Sequence, residues 1–190
     1  MSPLTIQPGS SRRSAYNLRP IGPQGEERHT LAVLVDNEPG VLARVIGLFS
    51  GRGYNIESLT VAETDHTGHI SRITIVTTGT PQVIDQIHAQ LERMVPVHQV
   101  SDLTVEGPHV ERELALVKVA ATGEHRVEAL RMAELMGARV VDVTLESFVF
   151  ELAATQEETD DFVALMGPLG LVEVARTGVA AMRRGPKGSV

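Results

Sequence analysis

The sequence predicts an α+β protein built from two tandem βαββαβ units of the ferredoxin-like kind. Three observations carry this reading. Runs with strand-like alternation and runs with helical spacing follow one another in that order twice. A shift of 84 residues lays Arg28 on Arg112 and Gly53-Tyr54-Asn55-Ile56 on Gly137-Ala138-Arg139-Val140. Between the copies, Glu106-Gly107-Pro108 breaks the chain pattern.

In the first copy, Leu31, Val33 and Val35 alternate with Ala32, Leu34 and Asp36, which predicts a strand. Pro39 suits the first turn of a helix, where its missing N–H is not needed. Val41, Leu42, Val45, Ile46, Leu48 and Phe49 follow at helical spacing, and Gly51 and Gly53 are expected to stop that helix. Residues 56–63 and 70–78 are β-rich, joined by Asp65-His66-Thr67-Gly68 as a hairpin connection. Pro81 opens a second helix with Ile84, Ile87, Leu91 and Met94 on one face, and residues 95–105 read as the closing strand. In the second copy, residues 114–121, 139–143, 148–153 and 171–175 read as strands. Residues 124–136 and 156–166 read as helices, and the hairpin is shorter.

The expected organisation is a leader at 1–27, units at 28–105 and 109–178, and a flexible tail at 179–190. The leader is rich in Ser, Arg, Pro and Gly without an apolar core, so it reads as disordered and not as a cleaved signal peptide. The chain is 42% hydrophobic over 190 residues, enough to bury a core. A net charge of −7 argues against a broad phosphate-binding face, and 3% aromatic residues leave little to stack on bases, so nucleic acid is a poor partner. The absence of cysteine excludes disulfides and thiolate chemistry. No apolar run reaches the roughly 18 residues of a membrane span, so no membrane partner is expected and a cytoplasmic location is the default.

The two copies differ after their first strands. One carries Asp36-Asn37-Glu38-Pro39-Gly40 and the other Thr122-Gly123-Glu124-His125-Arg126. The first loop suits a small zwitterion. A helix N-terminus offers unpaired N–H groups to a carboxylate, and Gly40 lets a ligand approach the backbone. The amide of Asn37 both donates and accepts, Asn55 can add a second amide, and Val41, Leu42 and Ile56 supply aliphatic surroundings. The alternative is that Asn37 only caps the helix and Gly40 only turns the chain. No nucleophile–base pair is recognisable, and His66 and His69 on the hairpin read as solvated side chains, not a metal site.

The stretch Asn37-Glu38-Pro39-Gly40-Val41-Leu42-Ala43-Arg44-Val45 resembles the ligand loop of ACT domains, the amino-acid-sensing βαββαβ modules. Three further stretches are narrower: 52–61, 109–114 and 172–178. With them, the chain from about Arg28 to Gly185 resembles the small regulatory subunits of acetolactate (acetohydroxyacid) synthase. The resemblance implies that the first unit is an ACT domain and that the protein is a homodimer. It implies a large catalytic subunit as partner, which carries thiamine diphosphate, Mg2+ and FAD. It also implies no catalytic residue, metal or cofactor in this chain, and feedback inhibition by valine bound between two ACT domains. Asn37, Gly40, Val41, Leu42, Asn55 and Ile56 are the positions matched to the effector site. Ala43 stands where some members have serine and Pro39 where some have a small polar residue, which bears on affinity and on the choice of amino acid. A free-standing tandem ACT sensor of a different enzyme or transcription factor stays open as the other reading.

Overall fold

The computed structural model describes residues 25–186 and 188. The expected leader lies outside the described residues up to position 24, as do tail positions 187, 189 and 190. The first unit comprises β1 (Glu27–Asp36), α1 (Val41–Arg52), β2 (Ser58–Asp65), β3 (Ile70–Gly79), α2 (Pro81–Glu92) and β4 (Val97–Asp102). A one-turn helix, α3 (Leu103–Glu106), leads to β5 (His109–Ala120), α4 (Gly123–Leu135), β6 (Arg139–Val143), β7 (Ser147–Ala154), α5 (Gln156–Met166), β8 (Leu171–Arg176) and β9 (Ala180–Arg183). The sheets run β2-β3-β1-β4 and β6-β7-β5-β8, antiparallel throughout. The predicted α+β class with two tandem βαββαβ units is what the chain forms.

The repeat extends to register and packing. Leu31 and Ala115 open the pairing of the first strand with the last in each unit, and both ladders shift register 84 residues apart, at Leu34/Val35 and at Lys118/Val119. Each first helix ends on a left-handed glycine, Gly53 (φ 70°) and Gly137 (φ 72°). The cores exchange bulk between layers. In the first, α1 contributes Val45 and Phe49 and β3 contributes Ile73 and Ile75. In the second, the helix offers only Ala129 and Ala133, and β7 supplies Phe148 and Phe150. Those two rings stack at 5.3 Å, and Phe150 meets Phe162 edge-on at 6.0 Å. Large side chains on the strand fill the volume that small ones leave on the helix, which keeps interior density high.

Four local expectations are corrected. Pro39 is not in the first turn of α1: the helix starts at Val41, and Gly40 takes the N-cap position at φ 89°, a conformation proline cannot adopt. Gly51 lies inside α1, and Gly53 alone ends it. The closing strand is shorter than 95–105. Val95 is 95% exposed, and the Asp102 carboxylate ends the strand by accepting the Thr104 N–H at 2.9 Å and so capping α3.

The fourth correction concerns the flexible tail expected at 179–190. Residues 180–183 instead form β9, paired with His109–Arg112 of β5. Val179 (1% exposed) and Ala181 pack with Ala32, Val76 and Leu103 on the face of the first sheet that points away from its helices. Val179 donates its N–H to Ser58 Oγ (2.7 Å) and accepts from Thr60 Oγ1 (2.8 Å), while Arg72 donates to the carbonyl of Ala181 (2.7 Å). Gly178 permits this approach, because a Cβ there would stand 2.8 Å from Ser58 Oγ.

A charged seam lies beside this strand. Arg28 pairs with Glu111 at 3.0 Å, faces Glu57 at 3.7 Å and donates to Gln156 Oε1 at 3.2 Å. Thr30 donates its hydroxyl to Glu111, and His109 Nε2 lies 3.1 Å from the same carboxylate. Burial alone would raise the Glu111 pKa, but hydrogen bonds from His109, Thr30 and Arg28, with the Arg28 charge, bring it down to about 2. A depressed carboxylate pKa adds stability above its unfolded value, near 4.3, and that stability is lost as pH falls toward 2. Glu111→Gln is expected to lower unfolding free energy at pH 7 by about 2 kcal/mol and to flatten the acid limb of stability. Chemical denaturation from pH 3 to pH 7 measures both. An unchanged acid limb in the variant contradicts this account.

Candidate functional site

The turn from β1 into α1 is exposed from Asn37 to Gly40, with Leu42 half-exposed beside it. Val41 turns its side chain into the core, so it can offer a ligand only backbone. No side chain caps α1 and no acidic residue lies in its first turn; the Val41 N–H donates to the Glu38 carbonyl at 3.3 Å, and the positive end of the dipole is left to an outside acceptor. Its counterpart α4 also lacks a side-chain cap, but Glu124 sits in its first turn. That carboxylate already occupies the favourable field. The asymmetry between the two loops thus has an electrostatic content.

Asn37 does not cap the helix. Its N–H donates to the His69 carbonyl at 2.7 Å, which ties the turn to the β2–β3 hairpin. His69 makes this possible by adopting a left-handed conformation, φ 50°. The exposed Asn37 side chain carries both a donor and an acceptor that a ligand could use. The Glu63 pKa lies below the ordinary value, chiefly because of the hydrogen bond with His66 at 2.7 Å. Asp36 is likewise met by His98, at 2.6 Å. His66 of the hairpin and His98 of β4 thus each stand beside a carboxylate next to the turn. The second pairing escaped sequence reasoning because Asp36 and His98 come from separate strands, 62 positions apart.

Asn55 and Ile56 do not join the other four residues. They sit in the connection before β2, where the Asn55 carbonyl accepts from Thr77 Oγ1 at 2.6 Å and Glu57 N–H donates to Val76 at 2.8 Å. The turn lies at the opposite end of β3, beside Ile70, which pairs with Asp36 and Asp65. The six steps from Ile70 to Val76 rise about 3.3 Å each, so about 20 Å separates the two halves of the site. The β-rich run was expected from residue 56, whereas β2 starts at Ser58, three residues after Asn55.

A separate cleft of about 350 Å³ opens at the seam between the units, lined by Glu57, Glu113, Gln156 and Arg176. There Arg176 is held by Glu113 and, at 2.5 Å, by Asp160, which leaves its guanidinium little capacity for a ligand. Among the described residues no cluster of His, Asp and Glu could hold a metal ion, and no helix is long and apolar enough to cross a membrane.

Two family models match the chain. Residues 31–99 match an AHAS small subunit-like ACT domain, and residues 112–185 match the small subunit of acetolactate synthase. A probable acetolactate synthase small subunit of Archaeoglobus fulgidus is 46% identical over 84% of this chain and 99% of its own. The acetolactate synthase isozyme 3 small subunit of Escherichia coli is 48% identical over 84% and 98%. The crystal structure of the acetolactate synthase small subunit from Thermotoga maritima superposes with a TM-score of 0.75 at 34% identity, covering 85% of this chain and 99% of that one.

Proposed function

The chain belongs to the family of acetolactate synthase small subunits, and we propose that it is a regulatory subunit that activates a large catalytic subunit and confers feedback inhibition by valine. The reaction regulated is the condensation of pyruvate with pyruvate or 2-oxobutyrate in branched-chain amino acid biosynthesis. Thiamine diphosphate, Mg2+ and FAD belong to the large subunit, and this chain supplies no catalytic group. A homodimer in the cytoplasm completes the reading.

One observation supports it: Asn37–Leu42 and Asn55–Ile56, the two halves of the proposed effector site, lie near opposite ends of the edge strand β2. An edge strand offers unpaired backbone groups. If β2 pairs antiparallel with its copy about a twofold axis, the start of one strand lies beside the end of the other. Asn55 and Ile56 of one protomer then complete the turn of its partner. The effector carboxylate meets the amides that open α1, its ammonium meets the Asn37 oxygen, and its aliphatic side chain rests between Leu42 and Ile56. A ligand bound in this way touches both protomers and shifts any equilibrium that changes their contact. Coupling of about 1–3 kcal/mol, or 5- to 150-fold, is typical of such linkage.

The test is reconstitution. Adding the chain to isolated acetolactate synthase large subunit is expected to raise acetolactate formation, and valine is expected to reverse the gain. Absence of activation at saturating small subunit overturns the proposal.

A further inference from the structure

The helical face of the first unit holds a groove of about 430 Å³ between α1 and α2. Arg44, Arg52 and Arg93 line it, and none of their guanidinium groups has an ion-pair or hydrogen-bond partner among the described residues. In a chain of net charge −7, three arginines converge here without a carboxylate to meet them, and α1 contains no acidic residue at all. The floor of the groove is Gly47 and Gly51, one helical turn apart, with Met94 beside them. Both glycines are helical without a positive φ, and a Cβ on either would meet nothing within 4 Å. Neither backbone conformation nor packing within the chain therefore asks for glycine, although glycine inside a helix is destabilising relative to alanine. Their presence keeps the floor open to a close approach from outside.

We propose that this groove is the surface that receives the large catalytic subunit, through a segment carrying carboxylates over an apolar anchor. The inference rests on the regulatory reading above. Three unpaired guanidinium groups call for carboxylates, whose planar geometry they match two donors at a time. An adaptable methionine and a glycine floor suit an inserted apolar side chain. The groove is an open trough along two helices, which fits a polypeptide segment better than a small enclosed anion. A second copy of this chain is the less suitable occupant. Its most acidic helix, α5, belongs to the second unit, so docking it on the helical face of a neighbour would add a second contact beside the β2 pairing proposed above.

The experiment uses the full chain and the purified large subunit, with affinity and activation measured at low and moderate salt. The double variant Arg44→Glu/Arg93→Glu is expected to weaken subunit binding at least tenfold, while the valine-induced thermal shift of the isolated chain persists. Gly47→Leu is expected to raise the melting temperature of the chain and still weaken subunit binding at least tenfold, a combination that misfolding cannot produce. Wild-type affinity in both variants overturns the inference and leaves the regulatory reading intact. Self-association of the wild-type chain that only the double variant abolishes, with large-subunit binding unchanged, also overturns it. Failure of the wild-type chain itself to bind the large subunit removes both.

Discussion

Gly40→Asp should yield a folded protein that still activates the large subunit but no longer responds to valine. The glycine sits at φ 89° with nothing within 4 Å of where a Cβ would stand, so the side chain finds open space. Aspartate also tolerates left-handed backbone better than most residues, which limits the strain to about 1 kcal/mol. Its carboxylate then lies at the uncapped start of α1, in the field the effector carboxylate would use. The variant thus carries a permanent occupant. Loss of a charge-assisted contact of about 1.5–3 kcal/mol corresponds to a roughly 10- to 150-fold rise in the valine concentration for half-inhibition. Gly40→Asn has similar shape and backbone tolerance without the charge, and should lose much less. Acetolactate formation titrated with valine for the three proteins decides the matter. Equal inhibition of wild type and Gly40→Asp removes the α1 turn from the effector site.

A second substitution should act on the fold alone. Gly170 enters β8 at φ 105°, and a Cβ there would stand 2.1 Å from the Ala120 carbonyl oxygen. The obstacle is backbone, held in place because Ala120 N–H donates to the Gly170 carbonyl at 2.8 Å. Gly170→Ala must therefore prise β8 from β5 where their ladder begins, and a loss of about 3–5 kcal/mol is expected. Gly167, three residues earlier, has a right-handed conformation and open space around it, so Gly167→Ala should stay within about 0.5 kcal/mol of wild type. Denaturant midpoints compare the two directly. Matching midpoints would mean that the close approach at Gly170 relaxes at little cost.

The fold was legible because its determinants are local or periodic. Residues 156–166 read as a helix from apolar spacing, and the structure adds the Thr155–Glu158 capping box that fixes its start. The exchange of bulk between Phe49/Ile73 and Ala133/Phe150 is visible once the repeat is aligned. What escaped the sequence depends on tertiary contact. Val179 and Ala181 look like an ordinary tail until Ala32 and Val76 are known to form a face that needs covering. The first turn of α1 was misplaced because a proline at N1 is a common start signal, while a left-handed glycine at the N-cap leaves no signature that separates it from a loop. Of the six positions expected at the effector site, four share one turn. The separation of Asn55 and Ile56 follows from strand register, which the residues alone do not give.

The last strand has a mechanical consequence. It is laddered to the opening of the second unit, and the residue just before it is stitched to two hydroxyls of β2 in the first. Sliding one unit over the other would have to tear that stitching. A protein cut after residue 178 would also bare Ala32, Val76 and Leu103 to water. The two halves repeat one architecture, yet they cannot be parted cleanly, because the chain doubles back to rivet them.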